Sequence, residues 1–219
     1  MAIEVFVSAG TPANDSQKTF RDTIVKAVEI TGLSTRFMTD RDWDYKNPLR
    51  GVRRAMEDCS GAVVIAYRRY RFPSGEELRS DGVRSLQEVS FPTPWNQIEA
   101  AMAYERGFPL LIIAETGLRQ DAFLETTNDV RPFWADPDKP ISDSQGFLGY
   151  LQSWKRDVED FATKKSSETQ RPEQVITVKR LLSSLPWYQL LALVVTILTV
   201  LATVASIGYR VGSGQWPFG

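Results

Sequence analysis

Short continuous runs of apolar residues alternate along the chain with stretches whose apolar residues recur every third or fourth position. IEVFVSA (3–9), a shorter segment around STRFM (34–38), GAVVIAY (61–67) and FPLLIIAE (108–115) are runs of the first kind and predict strands. GAVVIAY is apolar throughout rather than alternating, as a strand covered on both faces requires. Four stretches of the second kind predict amphipathic helices. The first is DSQKTFRDTIVKAVEITG (15–32), with Asp15 or Ser16 as N-cap, Phe20, Ile24, Ala27 and Val28 inward, and Gly32 as the stop. The second opens at Pro48 and turns Leu49, Val52, Met56 and Cys59 inward. The third is capped by Thr93, has Pro94 in its first turn, runs to about Arg106 before Gly107, and turns Trp95, Ile98, Ala101 and Met102 inward. The last, SQGFLGYLQSWKRDVEDFATKK (144–165), buries Phe147, Leu151, Trp154, Val158 and Phe161. Residues 68–91 read as a polar excursion between the third strand and the third helix.

Strand and helix in alternation predict an α/β fold of flavodoxin-like type, a parallel sheet flanked by helices. Ligands of such sheets bind at the carboxyl ends of the strands, where the strand order reverses.

The final segment has a different character. No charged residue occurs from Leu181 to Tyr209, and WYQLLALVVTILTVLATVASIGY (187–209) as a helix would be roughly 34 Å long, matching a bilayer core. Trp187 and Tyr188 stand at one edge, Tyr209 and Trp216 at or beyond the other, and no signal-peptide pattern opens the sequence. The expected organisation is an α/β domain over 1–162, a polar linker over 163–180, a transmembrane helix over 181–210 and a short tail over 211–219. Lys164, Lys165, Arg171, Lys179 and Arg180 precede the helix, against Arg210 beyond it, so the expected location is the inner (cytoplasmic) membrane, single-pass, with the N-terminal domain cytoplasmic. Ala192, Thr196, Thr199, Thr203 and Ser206 form a stripe of small residues along this helix, the kind of surface that lets membrane helices approach, and a homo-oligomer is the expectation.

Composition narrows the chemistry. With no histidine, the chain cannot build a Ser-His-Asp or Cys-His arrangement or an imidazole metal site. The single cysteine, Cys59, excludes an internal disulfide and a multi-thiolate metal site, and its apolar setting suits a core thiol. No metal is expected. A net charge of -1 gives no electrostatic reason for a nucleic-acid partner, whereas a discrete nucleotide site remains open.

Against that background PTPWNQIEAAMAYERGFPLL (92–111) stands out, because Glu99 follows Trp95 by one helical turn near the helix N-terminus. That geometry allows Trp95 to flank a base while Glu99 faces a ribose. One carboxylate is chemically sufficient to cleave an N-glycosidic bond whose leaving group is already cationic, since the transition state is oxocarbenium-like. The alternative is a solvated glutamate with Arg106 nearby.

FVSAG as first strand, the charged loop at 40–47, NPLRGVRRAMEDCSGAVVIAY as helix and strand, and the W-x-x-x-E of Trp95 and Glu99 together resemble the Toll/interleukin-1 receptor (TIR) domain over roughly residues 1 to 160. EAAMAYERGFP is also similar to the nucleoside 2-deoxyribosyltransferases, whose glutamate nucleophile is followed by a glycine and a proline, here Gly107 and Pro109. Those enzymes usually carry an Asp and a Gly before the glutamate, where this chain has Thr93 and Trp95; and Asn96 stands where TIR domains often have cysteine. The resemblances imply attack at C1 of a ribosyl group, with Glu99 catalytic, and Ser8, Ala9, Arg41, Trp43, Trp95 and Asn96 binding a nucleotide. NAD or a related nucleotide is then substrate or ligand rather than cofactor. The implied role is a membrane-anchored TIR-like effector that hydrolyses NAD on oligomerisation in bacterial antiphage defence. The alternative is a non-catalytic sensor of a nucleotide second messenger whose clustered membrane helices disrupt the membrane or form a pore.

Overall fold

Alternate side chains of three parallel strands feed two separate apolar layers. The computed structural model describes residues 2–125, 130–170 and 187–213, and the chain divides into two units, Met1–Gln170 and Arg171–Gly219. In the first unit the order is β1 (Glu4–Ala9), α1 (Asp15–Ile30), β2 (Ser34–Arg36), α2 (Pro48–Met56), β3 (Ala62–Ala66), β4 (Tyr70–Arg79), β5 (Gly82–Phe91), α3 (Pro94–Glu105), β6 (Leu110–Glu115), β7 (Phe133–Ala135) and α4 (Phe147–Gln170). The sheet runs β2-β1-β3-β6-β7, with every described pairing parallel. This is the flavodoxin-like order, an α/β fold with helices on both faces.

On one face Val5, Val7, Val63, Ile65, Leu111 and Ile113 meet Phe20, Ile24 and Val28 of α1 and Leu151, Trp154 and Val158 of α4. On the other, Phe6, Val64, Ala66, Ile112 and Ala114 meet Val52, Ala55 and Met56 of α2 and Ala100 and Ala103 of α3. Burying residues of this size contributes about 1.5–3 kcal/mol each before entropy is charged against it. Cys59 belongs to the second layer, and burial pushes its thiol up to about 12, so it serves as a core residue.

Local departures from the sequence reading have simple causes. Asn14, not Asp15 or Ser16, caps α1, its side chain accepting from the Gln17 backbone N–H. Leu49 is exposed, because the first turn of α2 lies outside its buried stripe of Gly51, Val52, Ala55 and Met56. The inward face of α3 is Asn96, Ala100 and Ala103; Trp95, Ile98 and Ala101 are exposed and Met102 is half-buried. Small residues let this helix lie close on the sheet, and Trp95 is left free for another surface. Residues 70–91 form a two-stranded antiparallel hairpin, closed by a tight turn at Ser80 and Asp81 in which Gly82 has φ +136°. A fifth parallel strand, β7, emerges from a segment with no strand-like run. Helix α4 continues to Gln170, through the first residues of the stretch read as linker; residues 171–180 lie outside the described residues.

In the second unit a single helix, α5 (Trp187–Ser213), is described. Counted over the described residues, no helix is long and apolar enough to cross a membrane. The side chains of Trp187, Leu190, Leu191, Leu193, Val194 and Ile197, which the membrane expectation counted, lie outside that set. Residues 181–186 and 214–219 lie outside it as well. Of the side chains described, Val195, Leu198, Val200, Leu201, Val204 and Ile207 are all exposed, and at helical spacing they surround the axis. Ala192, Thr196, Thr199 and Thr203 are exposed too, with Ser206 half-buried. The Thr196, Thr199 and Thr203 hydroxyls donate to the carbonyls of Ala192, Val195 and Thr199, each at 2.8 Å. Their polarity is thereby satisfied within the helix.

Candidate functional site

The order of the sheet reverses between β1 and β3, and the chain ends of these two strands open a cavity. Its volume is about 350 Å³. Ala9 at the end of β1, Gly10 and Thr11 just beyond it, and Arg69 and Tyr70 after β3 form one part of the wall; Met38 and Trp43 from the β2–α2 loop and Val52 of α2 form another; Thr93, Pro94, Trp95, Asn96 and Glu99 at the start of α3 complete it. A reversal in strand order leaves the loops of the two strands diverging, so a crevice follows from topology alone.

The rim is set by close contacts. Gly10 lies so near α3 that a Cβ there would sit 2.8 Å from Cγ2 of Thr93, and the Tyr67 hydroxyl donates to the Gly10 carbonyl. The Trp43 loop is held in two ways. A Cβ on Gly51 would fall 2.2 Å from the Asp42 carbonyl oxygen, so the absence of a side chain lets the loop lie on α2. The Asp42 carboxylate accepts from Thr39 N–H at 2.7 Å and Thr39 Oγ1 at 2.8 Å, and pairs with Arg36 at 2.6 Å. Burial works to raise the Asp42 pKa, and the Thr39 hydrogen bonds with the Arg36 charge outweigh it, holding the carboxyl below its ordinary value. With the loop fixed, the indole of Trp43 meets that of Trp95 edge to face, centroids 6.4 Å apart and planes at 84°.

Glu99 stands in this cavity as its acidic group. Burial pushes its carboxyl up to about 6, partly offset by a hydrogen bond from the Ser8 side chain. Beneath it, Asn96 is buried and its Nδ2 donates to Ser8 Oγ at 3.0 Å and to the carbonyls of Ser8 and Ile65 at 3.4 Å. Asn96 thus ties α3 to β1 and β3 and fixes where Glu99 points.

Of the residues singled out in the sequence, Ala9, Trp43, Trp95, Asn96 and Glu99 line one cavity. Ser8 is buried below it and reaches it through Asn96 and Glu99. Arg41 is exposed and is not part of the wall. The neighbouring Asp42 carries the loop's structural weight instead. Arg69 and Tyr70 were hidden in the excursion, where nothing in composition separates them from the surrounding arginines and aromatics. Glu99 does not pair with Arg106, whose guanidinium donates to the Arg53 carbonyl at 3.2 Å.

A second, more apolar groove of about 440 Å³ adjoins the first and shares Tyr70, Thr93 and Pro94 with it; Phe72 and Phe91 of the hairpin form its far wall. Among the described residues no group of acidic and thiol side chains is placed to hold a metal ion. No protein-family model matches the chain, and no curated protein matches it.

Proposed function

We propose that the chain is a membrane-anchored, TIR-like effector that hydrolyses the N-glycosidic bond of NAD at Glu99 when its domains associate, and that it serves bacterial antiphage defence. One observation carries the reading: a carboxyl group pushed up to about 6 in a cavity at the strand switch point, beside a tryptophan pair able to flank a planar base.

The chemistry asks little of the protein. The C1′–N bond of NAD breaks with its electron pair going to the pyridinium nitrogen, which leaves neutral nicotinamide and positive charge at C1′. The Glu99 carboxylate, ionised above pH 6, stabilises that charge in a partly desolvated site. Water then adds to C1′, giving ADP-ribose and one proton, which a carboxylate of raised pKa accepts better than an ordinary one. No histidine is required, in keeping with the composition.

The membrane location and self-association rest on α5. A helix with apolar side chains exposed around its circumference has no reason to stand alone in water. A line of threonines whose hydroxyls are satisfied internally presents their methyl groups for close packing in lipid. That same helix favours a second reading, in which nucleotide binding reorganises clustered helices and breaches the membrane without cleavage. Expression of Glu99→Gln beside Thr199→Leu with Thr203→Leu in cells separates them. Hydrolysis predicts that Glu99→Gln abolishes toxicity and NAD loss together, whereas a breach predicts toxicity that survives Glu99→Gln and fails in the helix variant.

A further inference from the structure

The hairpin β4–β5 is the part of the domain that the NAD-cleaving reading leaves unused, and it borders the site. Three arginines lie at its base. Arg68 pairs with Glu115 at 3.3 Å and Arg71 with Glu88 at 2.6 Å, while Arg69 has no carboxylate partner among the described residues and lines the cavity that holds Glu99. That cavity therefore carries one acidic and one basic group. A ligand complementary to it has a cationic end and an anionic middle, which is the charge pattern of a pyridinium ribosyl diphosphate.

Tyr70, next in the chain, belongs to both cavities. Beyond it Phe72 and Phe91 stand edge to face at 6.0 Å, with Tyr70 and Phe72 about half exposed, and Pro92 and Pro94 close the groove. The one carboxylate at its edge, Asp121, is neutralised by Arg119 at 2.7 Å. An apolar, aromatic groove of this size suits a flat base, and continuity through Tyr70 places it on the same ligand.

We propose that the hairpin completes a dinucleotide site: Arg69 takes the diphosphate and the Tyr70–Phe72–Phe91 groove takes the second base, so that the chain selects dinucleotides over mononucleotides. This rests on the reading of Glu99 as the cleaving group. The test uses the full chain in detergent with NAD, nicotinamide mononucleotide and nicotinamide riboside as probes, measuring nicotinamide release by wild type and calorimetric binding by Glu99→Gln. The expected result is a tenfold or greater preference for NAD over the mononucleotide, and for the mononucleotide over the riboside. Phe72→Ala lowers the first ratio to near unity, and Arg69→Ala lowers the second. Equal turnover of NAD and the mononucleotide, with Phe72→Ala leaving the ratio unmoved, overturns the hairpin's role and leaves Glu99 cleavage standing. Graded binding without turnover overturns cleavage and leaves the hairpin site standing. Neither binding nor turnover of any probe overturns both.

Discussion

Trp43 and Trp95 meet edge to face at 6.4 Å although they belong to a loop and a helix that are separately anchored, the loop by Asp42 and the helix by Asn96. Neither indole is deeply buried, at 57% and 39% exposure, so the pair is held by its supports rather than by the core. Trp95→Ala and Trp43→Ala should each raise KM for NAD about tenfold. Each should lower folding stability by about 0.5–1.5 kcal/mol, most of it appearing as the coupling between them in a double-mutant cycle. Equal turnover by the double variant and wild type removes the pair from the site.

Gly51→Ala sets two effects against each other. Alanine in a helix gains about 1 kcal/mol over glycine, but here the new methyl meets the Asp42 carbonyl, a backbone atom that cannot rotate away. Overpacking of this kind costs about 1–3 kcal/mol, so net destabilisation and a displaced Trp43 are expected. Thermal unfolding and tryptophan emission of the variant read both.

Asn96→Ala should cost about 1–3 kcal/mol, because it removes the donor shared by Ser8 and Ile65 in a buried setting. The same change frees the start of α3, so KM for NAD should rise as well. Denaturant unfolding beside steady-state kinetics checks the two effects in one preparation.

The alternation of apolar runs was enough to locate four of the five sheet strands and all four flanking helices, since burial on both faces imposes it directly. It could not orient α3. Trp95 and Ile98 are the larger apolar residues, but helix and sheet approach closely only over Asn96, Ala100 and Ala103, a condition set by the sheet and not by the helix's own sequence. The hairpin is not legible in the sequence for a related reason. Its strands are exposed on most positions and so show little alternation, although the glycine that follows the Ser80-Asp81 turn, Gly82, was a local signal. Trp95 and Glu99 were visible as an i, i+4 pair; Arg69 was not, because it joins the site through the fold.

Glu99 should weaken the fold at neutral pH. Its carboxyl is pushed from 4.5 in the unfolded chain up to about 6, so as pH rises between these values the unfolded state loses its proton first and stability falls. Glu99→Gln should therefore be more stable than wild type by about 1–2 kcal/mol at pH 7.5, discounted for partial exposure, and no more stable at pH 4. Melting temperatures at the two pH values give the comparison, and a variant less stable than wild type at pH 7.5 contradicts the burial of the charge.

The proposed function requires that this carboxylate cleave NAD. Nicotinamide release by the full chain reconstituted in lipid vesicles, followed from pH 5 to 8 for wild type and Glu99→Gln, tests it most directly. Turnover should rise with pH to a plateau, with a midpoint near 6, and fall at least about a hundredfold in the variant across the range. Equal turnover by the two proteins, or none by wild type when assembled, contradicts it.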